Sequence, residues 1–267
     1  MLFNQIVYGP IHSRRLGVSL GMNLMPTEHK LCTFNCVYCE CGWNEPVSHP
    51  HIPTRKEVRT ALEAALQQMV NGKSSNGQCL DVITFSGNGE PTLHPDFNGI
   101  IRDTIALRDQ YCPSAKVSVL SNSTQLGRED VREALMLCDN RILKLDSAID
   151  TTMRAIDLPV NKDLTVAQIK EWLHIFHGDF TLQTCFLRTL SPQGEVERGF
   201  GFGVNNTTPE ELNAWYKAVE ELQPKQVMMY VIDRKTPMEG LEKLSREEME
   251  RIAAPLLAKG MDVVISA

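Results

Sequence analysis

The chain alternates short apolar runs with longer stretches whose apolar residues recur at helical spacing. Runs suited to strands occupy residues 19–25, 81–86, 116–120, 141–145, 180–187, 226–232 and 261–265. Between most of them lie amphipathic patterns with explicit start signals. Thr54 is followed three residues on by Glu57, Thr208 by Glu211 and Ser245 by Glu248. Each pair predicts a helix N-terminus at which hydroxyl and carboxylate cap backbone N–H groups reciprocally. The stripe after Thr54 is Val58, Ala61, Leu62, Ala65, Leu66 and Met69. After Thr208 it is Leu212, Trp215, Tyr216 and Val219, and after Ser245 it is Met249, Ile252, Ala253, Leu256 and Leu257. A period near 3.6 makes each stripe a core face. Pro255 is expected to kink or shorten the last helix.

This alternation predicts a parallel sheet with helices outside it. Right-handed crossovers curl such a sheet toward a barrel, but six strand–helix units fall short of the eight that close one. The expected fold class is α/β, a partial (β/α)6 TIM-like barrel with an open side, built from residues 1–267 as a single domain. Residues 71–78 (NGKSSNGQ) read as a polar surface loop. The segment 189–206 carries Gly194, Gly199, Gly201 and Gly203. It suits either a lid or a plain surface loop.

Composition adds the setting. Charged residues make up 22% of the 267 and hydrophobic residues 42%, as in ordinary globular proteins. A net charge of −6 gives little attraction to nucleic acid or an anionic membrane. There is no apolar stretch of about 18 residues. The start, MLFNQIVYGP, lacks a basic region followed by an apolar one. The expectation is a cytoplasmic protein without membrane association, in a reducing compartment where eight cysteines form no disulfide framework.

Polar residues gather where the apolar runs end. In parallel α/β sheets the reactive site lies beyond the carboxyl ends of the strands. Ser86-Gly87-Asn88-Gly89-Glu90-Pro91 follows the second run, Ser121-Asn122-Ser123 the third, and Asp146-Ser147 ends the fourth. Gln183 and Cys185 share a face of the fifth, which leads to Arg188, and Asp233-Arg234 ends the sixth. Any one of these suits a turn. Their joint placement on one rim marks a site.

The loop after the first run reads Cys32-Thr33-Phe34-Asn35-Cys36-Val37-Tyr38-Cys39. Three thiolates in a C-x3-C-x2-C pattern can each hold one iron of a cubane [4Fe–4S] cluster, leaving the fourth iron open. Structural zinc with Cys41 as a fourth ligand is the alternative. C-x3-C makes a poor zinc knuckle, and the chain has no second one.

This loop, with Tyr38 before its last cysteine and Gly87-Asn88-Gly89-Glu90 after the next run, resembles the radical SAM superfamily. The resemblance extends over almost the whole chain. Gly9-Pro10, Ser13-Arg14-Arg15-Leu16-Gly17, Ser19-Leu20-Gly21-Met22-Asn23 and Asp233-Arg234-Lys235-Thr236-Pro237 are similar to an uncharacterised Fe–S oxidoreductase group discussed beside the wybutosine-type tRNA enzymes. The resemblance implies that Cys32, Cys36 and Cys39 ligate a [4Fe–4S] cluster whose open iron binds S-adenosylmethionine. Tyr38 then lies near the adenine. Gly87, Asn88, Gly89 and Glu90 form the turn that receives the methionine ammonium, with Asn88 departing from the family's Gly-Gly-Glu. Ser121 and Asn122 lie toward the methionine carboxylate and ribose, and Asp146 and Ser147 toward the ribose hydroxyls. The implied activity is reductive cleavage to a 5′-deoxyadenosyl radical that abstracts hydrogen from a substrate, with a reductant such as flavodoxin or ferredoxin.

The resemblance names no substrate. A small molecule, peptide or protein is favoured over RNA, which needs clustered Lys and Arg. The alternatives are an activating enzyme for a glycyl-radical enzyme and, from another class, a non-catalytic metal-stabilised binding protein. Cys79, Cys112, Cys138 and Cys185 are dispersed, and packing is their default role. Cys185, facing inward with Gln183, is a candidate for hydrogen-atom transfer. Arg14, Arg15, Arg188 and Arg234 are candidate anchors for a carboxylate or phosphate beneath the 189–206 loop. At least two of them are expected only to tie loops to acidic neighbours. The seven histidines suggest no metal site.

Overall fold

The computed structural model describes residues 2–13, 17–71, 80–189 and 203–267. In chain order its strands are β1 (Val7–Ser13), β2 (Gly17–Asn23), β3 (Val82–Ser86), β4 (Lys116–Ser121), β5 (Asn140–Lys144), β6 (Thr181–Cys185), β7 (Arg188–Thr189), β8 (Gln226–Tyr230), β9 (Leu241–Glu242) and β10 (Val263–Ser266). The main sheet runs β1-β2-β3-β4-β5-β6-β8-β10 and does not close, so the expected open α/β sheet is present. β2 with β3, β3 with β4, β6 with β8 and β8 with β10 pair in parallel. Each of the seven anticipated runs overlaps one of these strands. The sequence reading missed β1, which pairs antiparallel with β2. Gly9 and Pro10 interrupt its apolar pattern, and the register shifts between Tyr8 and Ile11. β7 and β9 form a separate antiparallel ladder. No helix among the described residues is long and apolar enough to cross a membrane.

The chain divides into two compact units, Met1–Cys32 with Asn44–Ile142, and Thr33–Trp43 with Leu143–Ala267. The first carries β1 to β4 and the helices α1 (Arg55–Asn71), α2 (Phe97–Tyr111) and α3 (Glu129–Leu137). Thr54 and Glu57 cap α1 as anticipated. The stripe then buries Val58, Leu62 and Leu66. Each such side chain contributes about 1.5–3 kcal/mol through burial. Arg55 fixes α1 to α2 by gripping Asp103 with two N–H groups, at 2.7 and 2.9 Å.

The second unit carries β6 to β10 and the helices α4 (Asp150–Asp157), α5 (Val166–His174), α6 (Pro209–Leu222) and α7 (Arg246–Ala258). Ser245 and Glu248 form the anticipated capping box, and Thr165 and Gln168 form another on α5. At α6 only half of the expected box forms. Thr208 accepts from the Glu211 N–H, but the Glu211 carboxylate turns away to Ser147 and Thr152. α7 runs through Pro255 to Ala258. The lost backbone donor is tolerated because Met249, Ile252, Ala253 and Leu256 hold the helix by burial.

Candidate functional site

In the first unit the residue before the first cysteine is stitched to the glycine turn. The Leu31 N–H donates to the Asn88 carbonyl at 2.9 Å, and the Glu90 N–H donates to the Leu31 carbonyl at 3.2 Å. Leu31 and Gly89 thus form a parallel bridge. Gly89 has φ +151°, and a Cβ there would lie 1.8 Å from the Leu31 oxygen. The close approach that requires glycine is therefore made by the chain itself. At Gly87, φ is +111° and a Cβ would lie 2.6 Å from Asn23 Oδ1. Neither position tolerates a side chain.

Asn88 works through its side chain as well. Its carboxamide donates to the carbonyls of Phe3 and Pro26 and accepts from the Phe3 N–H. Its backbone N–H donates to Asn23 Oδ1 at 3.0 Å. The asparagine that departs from the family's second glycine thus pins the N-terminal segment beneath the turn. Glu90 is 2% exposed and binds internal donors: the Asn122 N–H at 2.6 Å, the Thr92 N–H at 3.2 Å and the Thr92 hydroxyl. Burial pushes its carboxyl above the ordinary value, against these donors. Ser121 is buried and accepts from the Ser123 N–H. The Asn122 amide donates to Cys32 Sγ at 3.4 Å, and the Asn44 amide to the Cys32 carbonyl at 3.0 Å.

The second unit holds the rest of the cysteine loop. The N–H groups of Asn35 and Val37 donate to the carbonyls of Asp157 and Ile156 at the end of α4. The Met238 N–H donates to the Val37 carbonyl. Cys36 is buried, whereas Cys39 and Cys41 are partly exposed. Lys144, at the end of β5, donates to Cys36 Sγ at 3.0 Å and to Asp146 at 3.0 Å, and it also pairs with Asp157. Burial alone would lower the Lys144 pKa, but Asp146 and Asp157 carry it well above the ordinary value. Burial pushes the Asp157 carboxyl up, against the attraction of Lys144.

Asp146 is a hub. It accepts from the Tyr38 hydroxyl and from the Cys185 N–H at 2.9 Å. Its carbonyl accepts from Asn206 Nδ2. The Tyr230 hydroxyl donates to the Tyr38 oxygen at 3.1 Å. Burial and then Asp146 push the Tyr38 phenol up. The same two causes raise the Cys185 thiol, which is wholly buried. Ser147 donates to Glu211 and accepts from the Ile149 N–H, so its hydroxyl ties this turn to the start of α6.

Arg188 donates to both oxygens of Glu242 and to Glu248, and Arg234 donates to Glu40. Both of these candidate anchors thus have carboxylate partners within the protein. Arg14, Arg15, Cys79 and most of the 71–78 and 189–206 loops lie outside the described residues. Three site residues escaped the sequence reading: Asn23, Lys144 and Asp157. Asn23 ends strand β2 but lies inside the 19–25 run, which continues through Leu24 and Met25. Lys144 showed a different signal, a lone charge inside an otherwise apolar strand pattern.

The donor set suits an iron–sulfur cluster. Three thiols share one loop, and nitrogen donors are aimed at two of the sulfurs. Among the described residues no group of three or more His, Cys, Asp or Glu side chains could hold a single metal ion. A cubane makes a different demand, since each thiolate meets its own iron.

No protein-family profile matches the chain. It is 29% identical over 248 residues to a protein named GTPase Obg in Brachyspira hyodysenteriae, a match that covers 92% of this chain and 32% of that one. A UPF0026 protein of Methanocaldococcus jannaschii is 33% identical over 177 residues, 66% of this chain and 50% of that one. A UPF0026 protein of Helicobacter pylori is 27% identical over 246 residues, 91% of this chain and 71% of its own length. The chain therefore spans 32% of the first relative's length and 50% of the second's. It contains no phosphate-binding P-loop sequence, because its one Gly-Lys-Ser (Gly72 to Ser74) follows Gln67 where that pattern needs glycine.

Among solved structures, TYW1 superposes with a TM-score of 0.60 at 14% identity, covering 91% of this chain and 74% of that one. Streptococcus suis SuiB bound to S-adenosylmethionine gives 0.60 at 11% identity, covering 92% and 50%. A radical SAM methyltransferase from Sphaerobacter thermophilus gives 0.60 at 13% identity, covering 92% and 65%.

Proposed function

We propose that this chain, whose fold is that of the radical SAM enzymes, uses Cys32, Cys36 and Cys39 to hold a [4Fe–4S] cluster that binds and reductively cleaves S-adenosylmethionine. Residues 1–267 are read as one radical SAM domain. When bound, the cluster and S-adenosylmethionine supply a 5′-deoxyadenosyl radical able to take a hydrogen atom from a substrate. The chain's own residues bind, orient and shield. The observation that carries this reading is the double hydrogen bond of Leu31 to the turn at Asn88 and Glu90. It fixes the residue just before the first cysteine beside the turn that resembles the family's methionine-binding element. Glu90 gathers that turn and the end of β4 on one buried carboxylate, and Asn122 passes the same order on to Cys32. Tyr38, held by Asp146 and Tyr230, is the aromatic for the adenine. A reductant such as flavodoxin or ferredoxin supplies the electron. A small molecule, peptide or protein is the substrate class, since a net charge of −6 gives RNA no broad electrostatic footing.

The test is anaerobic reconstitution with iron and sulfide, followed by S-adenosylmethionine and dithionite. The protein should turn brown, bind about four irons and release 5′-deoxyadenosine. Alanine at Cys32, Cys36 or Cys39 should abolish all three, while alanine at Cys41 should not. A colourless protein that holds stoichiometric zinc would refute the reading.

A further inference from the structure

We propose that Lys144 is a positioning residue for the cluster: it seats the Cys36 sulfur and lays a positive charge beside that ligand, raising the potential at which the cluster is reduced. This rests on the reading of Cys36 as a cluster ligand.

The loop is built around this lysine. Residues 34, 36 and 38 all turn to it. Its ammonium is 5.1 Å from the centroid of the Phe34 ring, 3.0 Å from Cys36 Sγ and 4.9 Å from the centroid of the Tyr38 ring. The residues between them, Asn35 and Val37, use their N–H groups to tie the loop to the end of α4, both at 2.9 Å. One set of positions fastens the backbone and the other faces the cation, and the loop then closes in a turn where the Cys39 N–H donates to the Cys36 carbonyl at 3.1 Å. Lys144 is also met by Asp146 and Asp157, and Asp157 Oδ1 lies 3.4 Å from Cys36 Sγ. Tyr230 and Cys185 are further titratable groups coupled to it.

A lysine only 8% exposed at the end of a strand needs carboxylates to compensate its lost hydration. Two carboxylates meet that need. They leave unexplained why the ammonium also faces a thiol and two ring faces of one loop. A role toward the loop explains it. Hydrogen bonds and positive charge at a cluster's sulfur ligands stabilise the reduced, more negative state. They also fix the ligand's direction before the metal arrives.

The experiment compares wild type, K144M, K144R and the double variant K144M/D157N after anaerobic reconstitution. Iron per chain, iron kept under chelator challenge and the midpoint potential from a spectroscopically monitored redox titration are read for each. Circular dichroism melting reports the fold. K144M should show a more negative potential and faster loss of iron. K144R should return both toward wild type, because the charge is restored. If K144M strands its carboxylates and does not fold, K144M/D157N decides, since it removes one of them together with the cation. It should melt near wild type and keep the shifted potential. A wild-type potential and wild-type iron retention in folded K144M or K144M/D157N would overturn the proposal. A wild-type chain that takes up no cluster would instead defeat the proposed function, and this inference with it.

Discussion

The Asn122 side-chain amide donates to the sulfur of Cys32 over 3.4 Å, joining residues 90 positions apart in sequence. The backbone N–H of the same residue is bonded to Glu90. One residue at the end of β4 thus holds both the first cysteine and the carboxylate of the glycine turn. Asn122→Ala removes the contact with sulfur and the acceptor of the Thr124 N–H and hydroxyl, and keeps the backbone bond. The loss should be about 1 kcal/mol, lowering the melting temperature by about 2–4 °C. Iron kept under chelator challenge should fall as well. Unchanged retention would mean that Asn122 does not support Cys32.

Gly89→Ala should damage the fold before it damages any ligand contact. Its Cβ would lie 1.8 Å from the Leu31 oxygen at a φ of +151°. A penalty of about 1–3 kcal/mol is expected from backbone strain alone. Denaturant midpoint and iron uptake should drop together. If the variant unfolds like wild type and only cofactor binding weakens, the Leu31 bridge is not what demands glycine there.

Glu90→Ala should be more harmful than Glu90→Gln. Alanine leaves the N–H groups of Asn122 and Thr92 buried without their acceptor. Losing hydrogen bonds to a charged group costs about 1.5–3 kcal/mol each. Glutamine keeps one acceptor oxygen and should lose roughly half as much. Urea titration of the three proteins at one pH tests the order. Equal destabilisation by the two substitutions would show that the carboxylate's two-sided grip is unimportant.

Asp103 gives a pH dependence with a defined sign. Its hydrogen bonds to Arg55 hold its carboxyl below the ordinary aspartate value. The folded state therefore releases this proton more readily than the unfolded chain. The resulting stability is present above the unfolded value of about 3.9 and is lost as pH falls through the lower, folded value. Arg55 is well exposed, so the contribution is about 1 kcal/mol or less. Asp103→Asn should have a flatter melting-temperature profile than wild type below about pH 4. Parallel profiles would remove the Arg55 clamp from the account.

Arg188 separates a structural tie from a substrate anchor. It grips Glu242 with two N–H groups, at 2.9 and 2.7 Å, and Glu248 with a third, at 2.8 Å. Arg188→Gln and Glu242→Gln should each lower the melting temperature. The double variant should lose less than the two single losses added together, the mark of direct coupling. Additive losses would free the arginine for another partner.

Much of this protein was legible in its residue order. Apolar runs and 3.6-residue stripes located the parallel strands and the main helices, because those periods are properties of the local backbone. The cysteine spacing and the turn at residues 87–90 pointed to the proposed chemistry for the same reason, since each lies within a few consecutive residues. Strand β1 escaped because Gly9 and Pro10 break its pattern, and pairing with β2 rather than propensity makes it a strand. The partners of polar side chains were decided only in three dimensions. Ser147 turned out to serve Glu211, 64 residues away, and Gly89 to make room for Leu31. Lys144 meets Cys36 across 108 residues and Asp157 across 13. A hydrogen bond between distant residues carries no sequence period, so the order of residues indicates which groups need partners, and only the folded chain decides which ones they receive.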